Sequence, residues 1–294
     1  MILLTGASGL IGSAVARELN RRNRTDLLLV DHLGESNKWK NLRSLRFTDY
    51  IEKDDFEDQF LNQDHRLWSE IDGIIHLGAC SSTTETNASY LINNNFRFSK
   101  KVAQKAKQHS IRMVYASSAA TYGDGNEGFD DNEAKIDSLR PLNAYGYSKQ
   151  IFDQYLKQKG FDNVAGIKFF NIFGPNEYHK GSMISMVLRG FRQIKETGEL
   201  CLFKSYHPDY KDGEQVRDFL YVNDAAQMTV FLLLDAKDAN GIFNAGSGTA
   251  STWTDLGSAI FSAMNLKPNI RFIDMPESLR PNYQYFTQAP IQKI

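Results

Sequence analysis

A doubly wound parallel α/β sheet with a smaller second lobe is the fold this sequence predicts, and three observations carry it. Short apolar runs alternate with longer amphipathic segments over residues 1–170, the order expected of a parallel sheet with helices on both faces. A glycine-rich turn, GASGLIG, joins the first run to the first amphipathic segment. The alternation breaks after Phe173-Gly174-Pro175, beyond which elements are mixed and connections lengthen.

Taken in order, the predicted strands are 2–5, 26–31, 71–77, 111–117 and 164–171, each a short, mostly apolar run. Segments 13–22, 89–107 and 145–159 carry apolar residues at helical spacing. The stretch YHPDYKDGEQ, 206–215, is polar and rich in turn residues, so a loop is expected there. Residues 1–170 are thus expected to form a dinucleotide-binding domain, with 217–244 packing back onto it. Residues 171–294 are expected to form the smaller lobe, which reads as short at its C-terminus.

Composition narrows the function classes. The 294 residues are 41% hydrophobic and 23% charged, a globular balance. The net charge of −1 provides no field for nucleic acid or an anionic membrane. Cys80 and Cys201 do not make a disulfide framework, and a reducing compartment is expected. No Cys/His cluster has metal-ligand spacing. The opening apolar run is too short for a signal peptide, and no run can span a bilayer, so the expectation is cytoplasmic.

The turn after the first strand carries Gly6, Gly9 and Gly12. Glycines there let the backbone turn tightly and approach a pyrophosphate at the helix N-terminus. The second strand ends in Asp31, about 20 residues on, where a carboxylate meets an adenosine ribose. The expected fold is therefore Rossmann-type. Asp31 alone favours NAD, since it repels a 2′-phosphate. The basic segment that follows, with Lys38, Lys40, Arg43, Arg46 and then Lys53, reads either as a solvated face or as a 2′-phosphate site. NAD and NADP stay open at this level. Small residues in HLGACSS, 76–82, let a cofactor lie close to the strand end. Cys80 lacks a base placed near it by sequence and reads as a packing residue. Asn94 reads either as a cofactor contact or as a solvent-facing side chain.

The strand 111–117 leads into SSAATYG, and Ser118 is placed at the mouth of the crevice. Downstream, Tyr145 and Lys149 are four residues apart and share a helix face; Tyr147 does not. Free tyrosine titrates near pH 10, and a neighbouring ammonium favours its phenolate. Tyr145 is thus the candidate acid/base, supported by Lys149 and Ser118. An exposed Tyr–Lys pair is the bland alternative, which the glycine turn and strand-end serines disfavour.

TGASGLIG, SSAATYG and Tyr145-x-x-x-Lys149 resemble the extended short-chain dehydrogenase/reductases. HLGACSSTTE, PLNAYGYSK, FFNIFGPNEYHKGSM, RDFLYV and YQYFTQA resemble the ADP-L-glycero-D-manno-heptose 6-epimerase family, over essentially the whole chain. The resemblance implies a Rossmann-type sheet with a smaller α/β substrate-binding lobe, and a homo-oligomer, a pentamer in this family. It implies NADP-dependent inversion at C6″ of an ADP-heptose in lipopolysaccharide core precursor synthesis, through a transient 6″-aldehyde. Two proton carriers are implied, Tyr145 and Lys180, the lysine of HKGSM, with Lys149 holding the nicotinamide ribose and tuning Tyr145.

The resemblance also maps cofactor contacts onto Leu10, Ile11, Asp31, His32, Lys38, Lys53, Leu77, Gly78, Ala79, Cys80, Ser81, Asn94, Lys149 and Ile172. It maps substrate contacts onto Ser118, Asn171, Ser182, Arg189, Phe203, Lys204, Ser205, Arg217 and Tyr283, with Arg217 for the diphosphate. Histidine is common in the family where this chain has Arg189, and the 203–215 loop reads as long. A 4,6-dehydratase is excluded because its Asp-Glu pair is replaced by Ala119-Ala120. A UDP-hexose 4-epimerase has no evident need for Lys180. A non-catalytic dinucleotide sensor is disfavoured by the presence together of Ser118, Tyr145, Lys149 and Lys180.

Overall fold

The computed structural model describes residues 1–63, 65–277, 279–280 and 283–294. Among these, seven parallel strands form one sheet: β1 (Ile2–Thr5), β2 (Leu27–Asp31), β3 (Asp49–Glu52), β4 (Gly73–His76), β5 (Met113–Ser118), β6 (Val164–Phe169) and β10 (Gly241–Ala245). Their order is β10-β6-β5-β4-β1-β2-β3. The chain runs outward from β1 to β3, then returns beside β1 as β4 and continues the other way. The strand order therefore reverses between β1 and β4, and the crevice at their carboxyl ends is where such a sheet binds ligands.

Alternate strand residues point to opposite faces. Ile2, Leu4, Leu27, Leu29, Ile75 and Val114 pack on one side, against α1 (Leu10–Arg21) and α7 (Val222–Leu234). Leu3, Leu28, Val30, Ile74 and Met113 pack on the other, against α4 (Phe98–Gln108) and α5 (Ala144–Gln158). Burial on both faces explains why these strands read as continuous apolar runs.

The predicted strands stand, with shifted ends and one break. The run 164–171 does not continue through Phe170. Its last part, β7 (Asn171–Phe173), leaves the large sheet and pairs with β9 (Val216–Tyr221), which also pairs with β11 (Ala250–Thr252). A separate pair, β8 (Leu200–Phe203) with β12 (Ile270–Ile273), packs with α6 (Met186–Thr197) and α8 (Trp253–Ala263) around Ile194, Leu200, Leu202, Ile260 and Phe261. The predicted helix 89–107 is three pieces: α3 (Ala88–Leu91), a π-helical segment Ile92–Arg97, and α4. The loop expected at 206–215 lacks helix and strand. Strands β3 and β10 were not foreseen, being short and, in β3, largely polar (DYIE).

One buried cation fastens the end of α7 to the sheet. Arg112, just before β5, donates through Nη2 to Leu232 O at 3.1 Å and Ala239 O at 2.5 Å, and through Nη1 to Asn240 Oδ1 at 2.6 Å. Leu232 O is among the last carbonyls of α7, which lack intrahelical donors, and Ala239 O lies in the turn beyond the helix. Arg112→Met is expected to lower unfolding stability by about 2–3 kcal/mol, measured by urea denaturation, because it leaves buried acceptors unpaired.

Candidate functional site

A cleft of about 450 Å³ opens at the β1/β4 switch point. A smaller cavity of about 210 Å³ adjoins it. Gly6 turns at φ +70, and a Cβ there would stand 2.7 Å from Leu77 C and Gly78 N. A Cβ on Gly12 would overlap the Gly6 carbonyl oxygen. The turn therefore lies directly on the β4 loop, and the first residues of α1, Leu10, Ile11 and Gly12, line the cleft. This is a cradle for a diphosphate. Gly9, Leu10, Ile11, Leu77, Ala79, Ser81 and Ile172 line the same cleft.

The far end of the site reads the second strand. Asp31 accepts from Ser8 N at 2.8 Å and Ser8 Oγ at 2.6 Å with one oxygen, and from His32 N at 2.7 Å and Lys38 Nζ at 2.8 Å with the other. Both carboxylate oxygens are thus engaged by the chain itself, and Lys38 offsets their charge. Lys38 and Lys53 line the smaller cavity with His32 and Asn94. Lys40, Arg43 and Arg46 are exposed. The basic segment therefore divides: Lys38 and Lys53 turn toward the cavity, while Lys40 and Arg43 form a solvated face around Trp39.

Asn95, which the sequence reading passed over, organises the β4 loop. It is buried and accepts from Cys80 N at 2.8 Å while donating to Cys80 O at 2.9 Å and Ser148 Oγ at 3.0 Å. Cys80 is held by its backbone, in keeping with a packing role. Behind it, His76 is fully buried, with Nδ1 2.7 Å from Thr5 Oγ1 and Nε2 2.7 Å from Ser99 Oγ. Burial pushes its pKa down to about 3.

The expected acid/base candidate, Tyr145, sits at the mouth of α5. Asn143 caps this helix by accepting from Gly146 N at 2.8 Å. Gly146 packs so tightly that a Cβ would lie 2.7 Å from Ala120 O. This contact presses Tyr145 against the end of β5. Tyr145 is buried and lines the cleft with Ser118 and Lys149, whereas Tyr147 is 51% exposed. Lys149 Nζ donates to Ala116 O at 2.9 Å, and burial pulls its pKa down to about 8. The phenol of Tyr145 is raised by burial, and a hydrogen bond with Ser118 pulls it back down. Ser118 is thus a group of the chain that favours the phenolate.

Lys180 lines the same cleft from the opposite lobe, with His179 and Met183. Its pKa is lowered by burial, against the pull of Glu177. The loop that carries it is tied down at both ends. Asn41 Nδ2 donates to Ser8 O at 2.8 Å and Asn176 O at 3.0 Å, and Asn176 donates to Ser13 Oγ at 3.1 Å. At the other end Glu177, 2% exposed, accepts from Ser185 Oγ at 2.7 Å, and Ser185 caps α6. Neither Asn41 nor Glu177 stood out in the sequence, because polar residues in loops are usually solvated.

The expected substrate positions other than Ser118 form a looser set. Arg217 is buried between Trp253 and Tyr283, 5.5 and 5.2 Å from their rings, and donates to Val216 O at 2.8 Å and to Gln284 O. Asn171 donates to Asp218 O at 3.2 Å. Ser182 and Arg189 are exposed and joined by an Arg189 Nη2–Ser182 O bond of 2.5 Å. Phe203, Lys204 and Ser205 are half-buried at the end of β8, with Lys204 3.1 Å from Asp274. None of these eight lines the cleft that holds Tyr145 and Lys180.

Residues 2–246 match the NAD dependent epimerase/dehydratase family. A protein from Nitratidesulfovibrio vulgaris strain DP4, named ADP-L-glycero-D-manno-heptose-6-epimerase, is 47% identical over all of this chain and 90% of its own length. One of the same name from Fusobacterium nucleatum is 44% identical over all of this chain and 91% of its own. The chain belongs to this epimerase family. The crystal structure of the Helicobacter pylori protein of that name superposes with a TM-score of 0.80 at 26% identity, covering 99% of this chain and 87% of the other. A UDP-N-acetylglucosamine 4-epimerase from Methanobrevibacter ruminantium shares the fold, with a TM-score of 0.83 at 22% identity over 99% and 89%. Among the described residues no helix is long and apolar enough to cross a membrane, and no cluster has a metal ion's donor set.

Two outcomes test how this epimerase-family site is built. Gly12→Ala is expected to abolish dinucleotide retention, checked by the absorbance of cofactor released on denaturation, because its methyl collides with the Gly6 carbonyl. His76 stays neutral in the folded chain while the unfolded chain takes up a proton below pH 6.5. Stability should therefore fall from pH 6.5 toward pH 3, by about 1.4 kcal/mol per pH unit from this group. Urea midpoints of wild type and His76→Asn at pH 7.5 and 5.0 check this, the variant showing the smaller loss.

Proposed function

We propose that this protein inverts C6″ of an ADP-D-glycero-β-D-manno-heptose to give the L-glycero epimer, using NADP. The observation that carries the reading is that Tyr145 and Lys180, from different lobes, line one cleft with the glycine turn. The C–H bond of an alcohol carbon is not acidic, so inversion needs oxidation and re-reduction. A bound nicotinamide dinucleotide supplies a hydride acceptor that returns the same hydride. Gly6, Gly9, Gly12, Leu10 and Ile11 would hold its diphosphate, and Lys149 its nicotinamide ribose.

Tyr145 takes the hydroxyl proton as the C6″–H bond breaks, with Ser118 sharing the hydrogen bond. The carbonyl formed is a ketone rather than the aldehyde expected from the sequence reading, because C6″ is bonded to both C5″ and C7″. After this carbonyl presents its other face, its oxygen points away from Tyr145. Lys180, whose burial makes it a better proton donor than a solvated lysine, then protonates the oxygen as the C–H bond re-forms. Neither proton carrier alone reaches both orientations.

NADP is favoured because the oxygens of Asp31 are engaged by Ser8, His32 and Lys38. A 2′-phosphate then meets Lys38 and Lys53 rather than a free carboxylate. The substrate positions are proposed on the family resemblance, and Arg217 would meet the diphosphate if Gln284 O releases it.

Purified protein given ADP-D-glycero-heptose should scramble C6″ stereochemistry by NMR, while turnover of UDP-galactose alone would sink the proposal. Tyr145→Phe and Lys180→Ala should each lower kcat by about 10²–10⁴-fold. A double variant that epimerises like wild type would remove the two-carrier mechanism. Denatured protein should release NADP, and Lys38→Ala should weaken its retention by about 10–100-fold relative to NAD.

A further inference from the structure

One buried carboxylate takes no part in the chemistry above. Asp153 lies one helical turn beyond Lys149 on α5, so the two share a face. It is 2% exposed, and it accepts from Tyr115 Oη at 2.9 Å and Ser117 Oγ at 2.7 Å. Both donors are on β5, the strand whose Ala116 O receives Lys149. On the far side stands Lys168, 1% exposed, in register with Ser117 and 4.0 Å from the Tyr122 ring. A charge so buried is costly unless it answers another charge.

We propose that Asp153 is a positioning residue for the reaction: clamped to β5 by Tyr115 and Ser117, it supplies the carboxylate charge that keeps the buried Lys149 ammonium charged and seated against the cleft. The inference rests on the assignment of Lys149 to the site. Lys149 is otherwise served by a single backbone carbonyl, and burial works against its charge, which Asp153 sustains. The other groups around the pair are few. Cys80 and His76 approach Lys149 from β4 and its loop, and only Cys80 adds support to the ammonium. Lys168 faces Asp153 from β6. Asp131 acts on Lys168, and Glu133 acts on Tyr115. Burial works against the charge of Asp153 as well, and Lys168 offsets this more than any other group, while Asp153 in turn favours the Lys149 ammonium.

The test is the pH profile of kcat for epimerisation by the cofactor-loaded enzyme. Asp153→Asn keeps the shape and removes the charge. Its alkaline limb should move about one pH unit lower, a tenfold loss of rate on that limb. Lys168→Met removes the cation that favours the Asp153 charge, and its limb should also move lower. In a Lys149→Arg background, where the guanidinium cannot titrate, Asp153→Asn should leave the limb unmoved. A uniform fall in kcat with the limb in place would overturn the inference and leave Asp153 a structural residue. Should Asp153→Asn not fold, Lys168→Met still decides: a limb that stays or moves higher overturns it. Full activity of Lys149→Met would instead remove the assignment of Lys149 itself.

Discussion

The site depends on how closely two loops approach at the switch point of the large sheet. Gly6 lies on the backbone of Leu77 and Gly78, and Gly12 lies on Gly6. No side chain fits in either contact. This closeness sets the start of α1 above β1 and β4, and with it the direction of the helix N-terminus. Every later element of the cleft is measured from that point. Thr5 and His76, the last residues of the two strands, are paired in register and hydrogen-bonded beneath it, so the floor is polar yet closed.

Around this floor the chain uses buried polar groups to fix position. Asn95 holds the β4 loop to α5, Asn41 holds the Lys180 loop to the glycine turn, and Asp153 holds α5 to β5. Apolar packing alone orients side chains only loosely, whereas a buried hydrogen bond is costly to leave unmade and so admits few geometries. The arrangement is consistent with chemistry in which two proton carriers from separate lobes must meet one carbon. It also explains why Tyr145 and Lys180 have shifted pKa values: the position that excludes water is the position that perturbs them.

Much of this was legible from the sequence. Apolar runs located five of the seven strands of the large sheet, since buried parallel strands carry no polar alternation. The glycine turn, Asp31, Ser118, Tyr145 and Lys149 were visible because each chemistry demands a residue type at a fixed spacing. Lys180 was visible only through family resemblance, because nothing local distinguishes it from a solvated lysine. The residues that do the fastening were not legible. Asn41, Asn95 and Glu177 act on partners 15 or more positions away or across a loop, and no periodicity marks such contacts. Strand β3 was hidden by its acidic ends, and the break at Phe170 was hidden inside one apolar run.

That break ties the lobes together in a particular way. Phe169 ends the large sheet, and Asn171 begins a strand of the small one, with Phe170 buried between them. A single extended run therefore serves as a rail common to both lobes. The side chain of Phe170 is packed in a core with Tyr122 and Phe129. The passage from one sheet to the other is thus made at the wall of the cleft itself, since Phe169 and Phe170 both line it.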